Sequence, residues 1–355
     1  MNHKYRKIVL TGGGTMGHIK PHLSILPDLM KYFDTIDYIG SQNGIEKETI
    51  SKYPIVTYHS IPATKFDRSN ILKNITIPFV LFDAIKQAKK ILKELQPDVI
   101  FSKGGYVSVP VVLAGKSLGI PTIIHESDLT LGLANKIASK HATIVCTTFP
   151  ETAKHLSNGV WIGSPIDPRL EFANPENARK KFTLDRKRPT ITITGGSLGA
   201  SAINDAIEHH LPELVKKFNI IHLTGKNKAI NFSHKYYHQM EFSDSVGEIF
   251  KASDLVISRA GSNTIFELAL LKTPMLLIPL PKNASRGDQI ENAKYFRSLG
   301  LAEVLQQSDL NDKLLATIDK CLLNKTNFKR ALINADYKNG KDNLVRQILK
   351  TIKLK

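Results

Sequence analysis

The feature that most constrains this chain is written twice. KIVLTGGGTMGH (7–18) and TITITGGSLGAS (190–201) each run a β-branched apolar stretch into a glycine-rich turn and then a helix start, about 183 residues apart. A buried strand that leaves through a glycine turn into a helix opens a βαβ unit, and two such openings call for two α/β domains. The rest of each half agrees. DYIG (37–40), DVIF (98–101), PTIIHE (121–126) and TIVCTT (143–148) read as strands, with helices predicted near 21–33, 44–53, 79–96, 109–118 and 132–139. After the second copy, IIHLTG (220–225), DLVISRAGS (254–262) and PMLLIPLP (274–281) are strand-like, with helices between. Such crossovers return parallel and right-handed, so each half is a doubly wound parallel sheet. The join falls between Thr148 and Pro189, with IGSPIDPR (162–169) as the natural hinge.

Length supports this division, since 355 residues suit two domains of roughly 150–200 each. The apolar content of 42% is ordinary for a globular chain, which excludes a disordered or collagen-like one. Apolar runs are short, as in Ile77–Phe82, far from the ~20 residues of a spanning helix. The amino terminus does not read as a signal peptide. Cys146 and Cys321 alone give no disulfide framework or cysteine metal site, and a reduced compartment fits. The charge is the unusual number: 49 basic less 32 acidic residues leave +17. Nucleic acid, an anionic membrane and anionic substrates each answer to it, as does a generally lysine-rich composition. No nucleic-acid-binding signature is visible.

A glycine turn that opens a helix presents backbone N–H groups and a helix dipole to an anion, usually phosphate. One such turn is a weak signal; two at equivalent places suggest a cleft with a phosphate-binding edge on each side. Neither is followed by the Gly-Lys-Ser/Thr of a nucleotide-binding P-loop, and the first lacks the acidic partner of a dinucleotide fingerprint. SRAGSNTIFE (258–267) adds a third strand-to-helix turn, with Glu267 one turn inside the helix. Its carboxylate can accept from a ribose diol or lie on a solvated helix face. In PKNASRGDQIENA (281–293), Gln289 and Asn292 can bind sugar hydroxyls or cap a helix. His18 closes the first turn, placed either to take a proton from an attacking hydroxyl or to donate to a loop carbonyl. His125-Glu126 ends another strand at the same edge.

TGGGTMGH, FSKGGYVSVP, HESDLTLGLANK, ITGGSLGAS, ISRAGSNTIFEL and RGDQIENA, in this order from about residue 7 to 345, resemble the MurG family of peptidoglycan N-acetylglucosaminyltransferases. The resemblance implies a GT-B fold: α/β, with two doubly wound Rossmann-like domains whose parallel sheets face a cleft. It implies residues 1–164 as an acceptor- and membrane-binding domain and 165–340 as a UDP-GlcNAc-binding domain, with a C-terminal helix at about 341–355 that could pack back on the first. The implied reaction is an inverting, metal-independent transfer of GlcNAc from UDP-GlcNAc to the C4 hydroxyl of lipid I, undecaprenyl-pyrophosphoryl-MurNAc-pentapeptide, giving lipid II; no cofactor is implied. On the donor side the likeness points to Ser197 for the diphosphate and to Arg259, Ala260, Gly261, Ser262, Asn263 and Thr264 beside it. It points to Glu267 for the ribose, Phe242 or Ser243 near the uracil, and Gln289 at the GlcNAc hydroxyls. On the acceptor side it points to Thr15, Gly17 and His18, with His18 as base, and to Glu126, Asp128 and Asn135, with Glu126 in a catalytic role. Met16 stands where many relatives carry glycine, Asp128 where many carry asparagine, and Asp167 where an arginine is often found, with Arg169 as a substitute.

A lipid acceptor requires contact with a bilayer. In KFDRSNILKNITIPFVLFDAIKQAKKILK (65–93), Ile71, Leu72, Ile75, Ile77, Phe79, Val80 and Phe82 make an apolar segment flanked by Lys65, Arg68 and Lys73. Lys86, Lys89, Lys90 and Lys93 follow at helical spacing. That is the composition of an interfacial segment, and also of a core helix with a solvated face. With the resemblance it points to peripheral attachment at the anionic cytoplasmic face of the cell membrane, and to no nucleic-acid partner. The rival readings are another UDP-sugar GT-B enzyme, such as a diacylglycerol glycosyltransferase, a UDP-GlcNAc epimerase, and a basic binding module without turnover.

Overall fold

The computed structural model describes residues 6–64, 71–196 and 199–352, side chains of 71–73 aside. It divides into two compact units, Met1–Asp167 with Gly340–Lys355, and Pro168–Asn339. The first unit runs β1 (Lys7–Gly12), α1 (Met16–Leu29), β2 (Thr35–Ser41), α2 (Ile45–Ile50), β3 (Val56–Ile61), α3 (Ile77–Leu95), β4 (Val99–Gly104), α4 (Ser108–Ser117), β5 (Thr122–Glu126), α5 (Leu133–Ala138), β6 (Ile144–Thr147), α6 (Pro150–Lys154) and β7 (Gly159–Trp161). The second runs α7 (Pro175–Lys181), β8 (Thr190–Thr194), α8 (Ser201–Lys217), β9 (Asn219–Leu223), β10 (Tyr237–Met240), α9 (Val246–Ala252), β11 (Leu255–Ser258), α10 (Ser262–Leu270), β12 (Met275–Leu277), α11 (Asp288–Ser298), β13 (Glu303–Val304), α12 (Leu310–Leu323) and α13 (Lys325–Asn334), and α14 (Lys341–Ile352) follows.

Among the described residues both sheets are wholly parallel. Their strand orders are β3-β2-β1-β4-β5-β6-β7 and β10-β9-β8-β11-β12-β13. Each is a Rossmann-like sheet whose order reverses once, between β1 and β4 and between β8 and β11. Alternation along the central strands sorts side chains to two covered faces. Ile8, Leu10 and Phe101 pack with Ile19, Ile25 and Leu29 of α1, while Val9 and Ile100 pack with Ala84, Ala88 and Leu92 of α3 and Val111 and Ala114 of α4. In the second unit Ile191, Ile193 and Ile257 meet Ile203, Ile207 and Leu211 of α8, and Ile221 and Leu223 meet Phe182 and Ile249 on the other face.

Two differences from the sequence reading have plain causes. Strands β3, β7, β10 and β13 carry no long apolar run: β13 has two residues, and β3, β7 and β10 hold mostly half-exposed or exposed side chains near the sheet edges. Helix α1 begins at Met16 rather than near 21, because it starts directly from the glycine turn and takes Pro21 into its interior.

Helix α14 packs onto the first unit, burying Leu344, Val345 and Ile348 beside Ile8 and α1. Lys341 Nζ lies 2.7 Å from Asp28 Oδ2. The Gly340 N–H donates to Ser164 O at 2.7 Å, and a Cβ at Gly340 would come within 2.6 Å of Gly163 C. Ile348→Ala is expected to cost roughly 2–4 kcal/mol of stability. A urea midpoint equal to wild type would contradict that placement.

Candidate functional site

The first glycine turn rests on a buried carboxylate. Glu46, 0% exposed at the start of α2, accepts through Oε1 from the Ser41 N–H (3.1 Å) and the Ser41 hydroxyl (2.5 Å), and through Oε2 from the Gly14 N–H (3.1 Å). The Gly13 N–H donates to Gly104 O at 3.3 Å. The turn therefore spends the amides of Gly13 and Gly14 inside the protein, and the expectation that they meet a phosphate does not hold for these two. The turn after β4 packs against this one. Gly105 has φ +89°, and a Cβ there would lie 2.3 Å from Gly13 O and 3.1 Å from His18 Nδ1, so only glycine allows the approach.

This packing fixes His18. Its Nδ1 lies 2.7 Å from Gly13 O and 3.3 Å from Thr15 Oγ1. A carbonyl oxygen only accepts, so Nδ1 carries the proton and Nε2 of the neutral ring carries the lone pair. Donor to a loop carbonyl and acceptor of a proton are thus the two nitrogens of one ring. Thr15 is the exposed N-cap residue of α1, and Gly17 is half-exposed in its first turn.

At the end of β5, Glu126 is 5% exposed and both oxygens hold the following loop. Oε1 accepts from the Asp128 N–H (3.0 Å); Oε2 accepts from the Gly132 N–H (3.0 Å) and Asn135 Nδ2 (3.0 Å). Burial raises its pKa above the usual carboxylate range and Asp128 adds to this, while Lys103 and the backbone donors oppose it. The Asp128 side chain is half-exposed; that of Asn135 is buried on α5. The sequence reading passed over Lys103, which ends FSK just before the Gly104–Gly105 turn. It is 2% exposed, donates to Ser127 Oγ at 2.5 Å, and burial lowers its pKa to about 8 against the pull of Glu126 and Asp128. His22 is likewise buried, lowered to about 3 by burial and by Lys103. His22 Nε2 and Asn135 Oδ1 are buried without a hydrogen-bond partner, each at a cost of about 1–3 kcal/mol. The signal for Lys103 was available: a charged residue near the end of a strand that opens with the apolar run Val99–Phe101.

In the second unit the Gly196 N–H after β8 donates to Thr194 Oγ1 at 3.2 Å; Ser197 lies outside the described residues. Helix α10 opens at Ser262 behind Gly261, a cap residue with no side chain for the first-turn amides. Ala260 and Ser262 are buried, and Asn263, Thr264 and Glu267 are half-exposed. The Arg259 guanidinium donates to Ile278 O (3.2 Å), Pro279 O (3.4 Å) and Gln307 Oε1 (2.7 Å), and burial lowers its pKa. Asn292, fully buried, donates to Ala260 O at 3.2 Å, and Gln289 Oε1 accepts from the Leu280 N–H at 3.1 Å. The fold thus gathers 259–267 and 289–292 at the carboxyl edge beside the strand-order reversal. Phe242, 69% exposed, and Ser243, which accepts from the Ser245 N–H at 3.1 Å, follow the edge strand β10. Arg169 is exposed in the short turn Pro168–Leu170, with the half-exposed Asp167 two residues before. A cavity of about 190 Å³ lined by Arg179, Asp185, Arg188 and Asp254 lies at the opposite, amino-terminal edge of this sheet.

The chain is similar to known proteins over nearly its whole length. Residues 8–147 match the glycosyltransferase family 28 N-terminal domain and residues 190–348 its C-terminal domain. A Clostridium tetani protein described as UDP-N-acetylglucosamine–N-acetylmuramyl-(pentapeptide) pyrophosphoryl-undecaprenol N-acetylglucosamine transferase is 43% identical over 356 residues, 99% of each chain. A protein of the same description from Lachnospira eligens is 45% identical over 345 residues, 96% of each chain. The crystal structure of Acinetobacter baumannii MurG superposes with a TM-score of 0.80 at 25% identity, covering 97% of this chain and 99% of that one.

Glu46 gives a test of the turn. Both its oxygens face donors, so in Glu46→Gln the new NH2 meets another N–H or O–H. A loss of roughly 1–3 kcal/mol is expected, with faster amide exchange at Gly14. An unchanged urea midpoint with unchanged exchange would remove Glu46 as the support.

Proposed function

The chain belongs to glycosyltransferase family 28, among its undecaprenol-linked N-acetylglucosamine transferases, and on that premise we propose that it transfers GlcNAc from UDP-GlcNAc to the C4 hydroxyl of lipid I, making lipid II. The observation that carries the mechanism is the 2.7 Å bond from His18 Nδ1 to Gly13 O. It orients the ring so that Nε2 takes the proton as the C4 oxygen attacks the anomeric carbon. The bond from that carbon to the UDP oxygen breaks, and the configuration inverts. The amino terminus of α10, capped by Gly261, stabilises the departing diphosphate through backbone amides and dipole. Glu267, half-exposed in the second turn of the same helix, binds the ribose hydroxyls, and Gln289 contacts the GlcNAc hydroxyls. Glu126 acts by holding the 127–135 loop, since both its oxygens are engaged there.

The first unit binds the acceptor at the membrane surface. No helix among the described residues is long and apolar enough to cross a bilayer. Ile75, 68% exposed, precedes α3, and Phe79 and Phe82, 76% and 73% exposed, lie on one stripe of that helix. Lys86, Lys90 and Lys93 continue it, exposed, while Ala84, Ala88 and Leu92 face the core. Lys65 and Arg68 lie outside the described residues, as do the side chains of Ile71, Leu72 and Lys73. An apolar end with a cationic rim supports peripheral attachment to an anionic cytoplasmic surface, each lysine contributing about 1 kcal/mol.

Labelled transfer from UDP-GlcNAc to purified lipid I, with diacylglycerol as the control acceptor, tests the reaction; labelling of diacylglycerol alone would overturn it. His18→Ala is expected to lower kcat by roughly 10²–10⁴ with UDP affinity retained. Glu267→Ala should act mainly on the donor KM, and steady-state kinetics separates the two. Phe79→Ser with Phe82→Ser should weaken binding to vesicles containing anionic lipid by on the order of a hundredfold, and equal sedimentation with vesicles would remove this stripe as the attachment surface.

A further inference from the structure

Beneath the acceptor-side residues lies a buried cation that the mechanism above does not use. Lys103 is the penultimate residue of β4, where that strand pairs with β1, and its Cβ lies 3.2 Å from the place a Cβ on Gly12 would occupy. The following Gly104–Gly105 turn bonds and packs against Gly13 and His18. The Lys103 ammonium donates to Ser127 Oγ at 2.5 Å, within the loop that Glu126 holds. One side chain therefore spans both parts of the acceptor side, the His18 turn and the 126–128 segment. Around it stand Glu126 and Asp128 from β5 and its loop, His125 from β5 and His22 from α1. Burial lowers the pKa of both histidines, His22 to about 3, so they bring no positive charge near neutral pH. Glu46 adds a further buried carboxylate behind the His18 turn, where it accepts from the Gly14 N–H. An anionic acceptor is thus asked to approach a surface backed by carboxylates. Asn135 Oδ1, buried and without a hydrogen-bond partner, lies 2.8 Å from the place a Cβ on Gly104 would occupy, so the polar cluster is not closed within the protein.

We propose that Lys103 is a positioning residue for the acceptor's diphosphate: its buried ammonium, held by Ser127 under the two glycine turns, offsets Glu126 and Asp128 and lets an anionic acceptor bind beside His18. This rests on the lipid-diphosphate reading of the acceptor. It acts through the loop and through charge, since at 2% exposure Lys103 does not reach a ligand itself. Because burial lowers its pKa to about 8, the cation is present near neutral pH and is lost as pH rises through that value. Acceptor binding should weaken over the same interval while donor binding does not.

The experiment compares wild type, Lys103→Met, Lys103→Arg and Ser127→Ala from about pH 7 to about pH 9.5. It measures KM for lipid I, KM for UDP-GlcNAc and, without turnover, calorimetric affinity for undecaprenyl pyrophosphate, with circular dichroism as the check on folding. In wild type the lipid I KM and the pyrophosphate Kd should both rise by roughly tenfold across the alkaline interval. In Lys103→Met they should start at the weak value and stay flat, with donor KM unchanged. Lys103→Arg, charged throughout, should lose the alkaline break. Ser127→Ala, which keeps the charge but drops its hydrogen bond, should move the break without abolishing it. A folded Lys103→Met with wild-type pyrophosphate affinity and an unchanged alkaline profile overturns the proposal. If Lys103→Met does not fold, an alkaline break persisting unaltered in both other variants does so. Failure of wild type to glycosylate lipid I overturns the functional reading instead, and the binding measurements still decide the role of Lys103.

Discussion

A parallel sheet covered by helices on both faces leaves only its ends open to chemistry. Of these, the carboxyl end at the strand-order reversal is where adjacent chains turn to opposite sides and part. The arrangement around His18 in the first unit follows from that constraint. β1 and β4 leave their shared boundary through glycine turns, and those turns, 13–14 and 104–105, are pressed together so closely that His18 takes its orientation from a backbone carbonyl. The second unit repeats the plan with β8 and β11, where Gly261 opens α10 beside the reversal.

The two glycine turns opening the repeated motif look alike in sequence and differ in their surroundings. The first has its Gly14 amide bonded to a buried carboxylate and its Gly13 amide to a neighbouring turn, so its work is to hold a histidine. In the second the Gly196 amide meets Thr194 of its own strand. Glycine content alone does not say whether an amide is offered to a ligand or used up by the protein. That depends on which acceptor the rest of the chain brings to it.

Much of the architecture was legible. β1, β4, β5, β8, β9 and β11 are buried along nearly their whole length and each carries an Ile-, Val- or Leu-bearing core, and the segments that follow all of them except β5 turn at glycine. The edge strands β3, β7, β10 and β13 were not legible, because an edge strand buries less and so lacks that run. Among candidate site residues, His18 and Gln289 stand in the first turns of α1 and α11 and Glu267 in the second turn of α10, where position in the motif implies position in the fold. Arg259 stands in the same motif, but its guanidinium is taken by carbonyls after β12 and by Gln307, partners no local pattern announces.

The sequence by itself determined the repeated α/β plan, the carboxyl-edge location of the conspicuous turns and the apolar-then-basic stripe of 75–93. These follow from side-chain periodicity and backbone freedom, which are local. Tertiary structure alone decided which partners the buried charges meet. Glu46 reaches Gly14 across 32 residues and Lys103 reaches Ser127 across 24. A charged side chain becomes a structural or electrostatic element only when burial removes its water and leaves protein partners, near and distant in the chain, to solvate it.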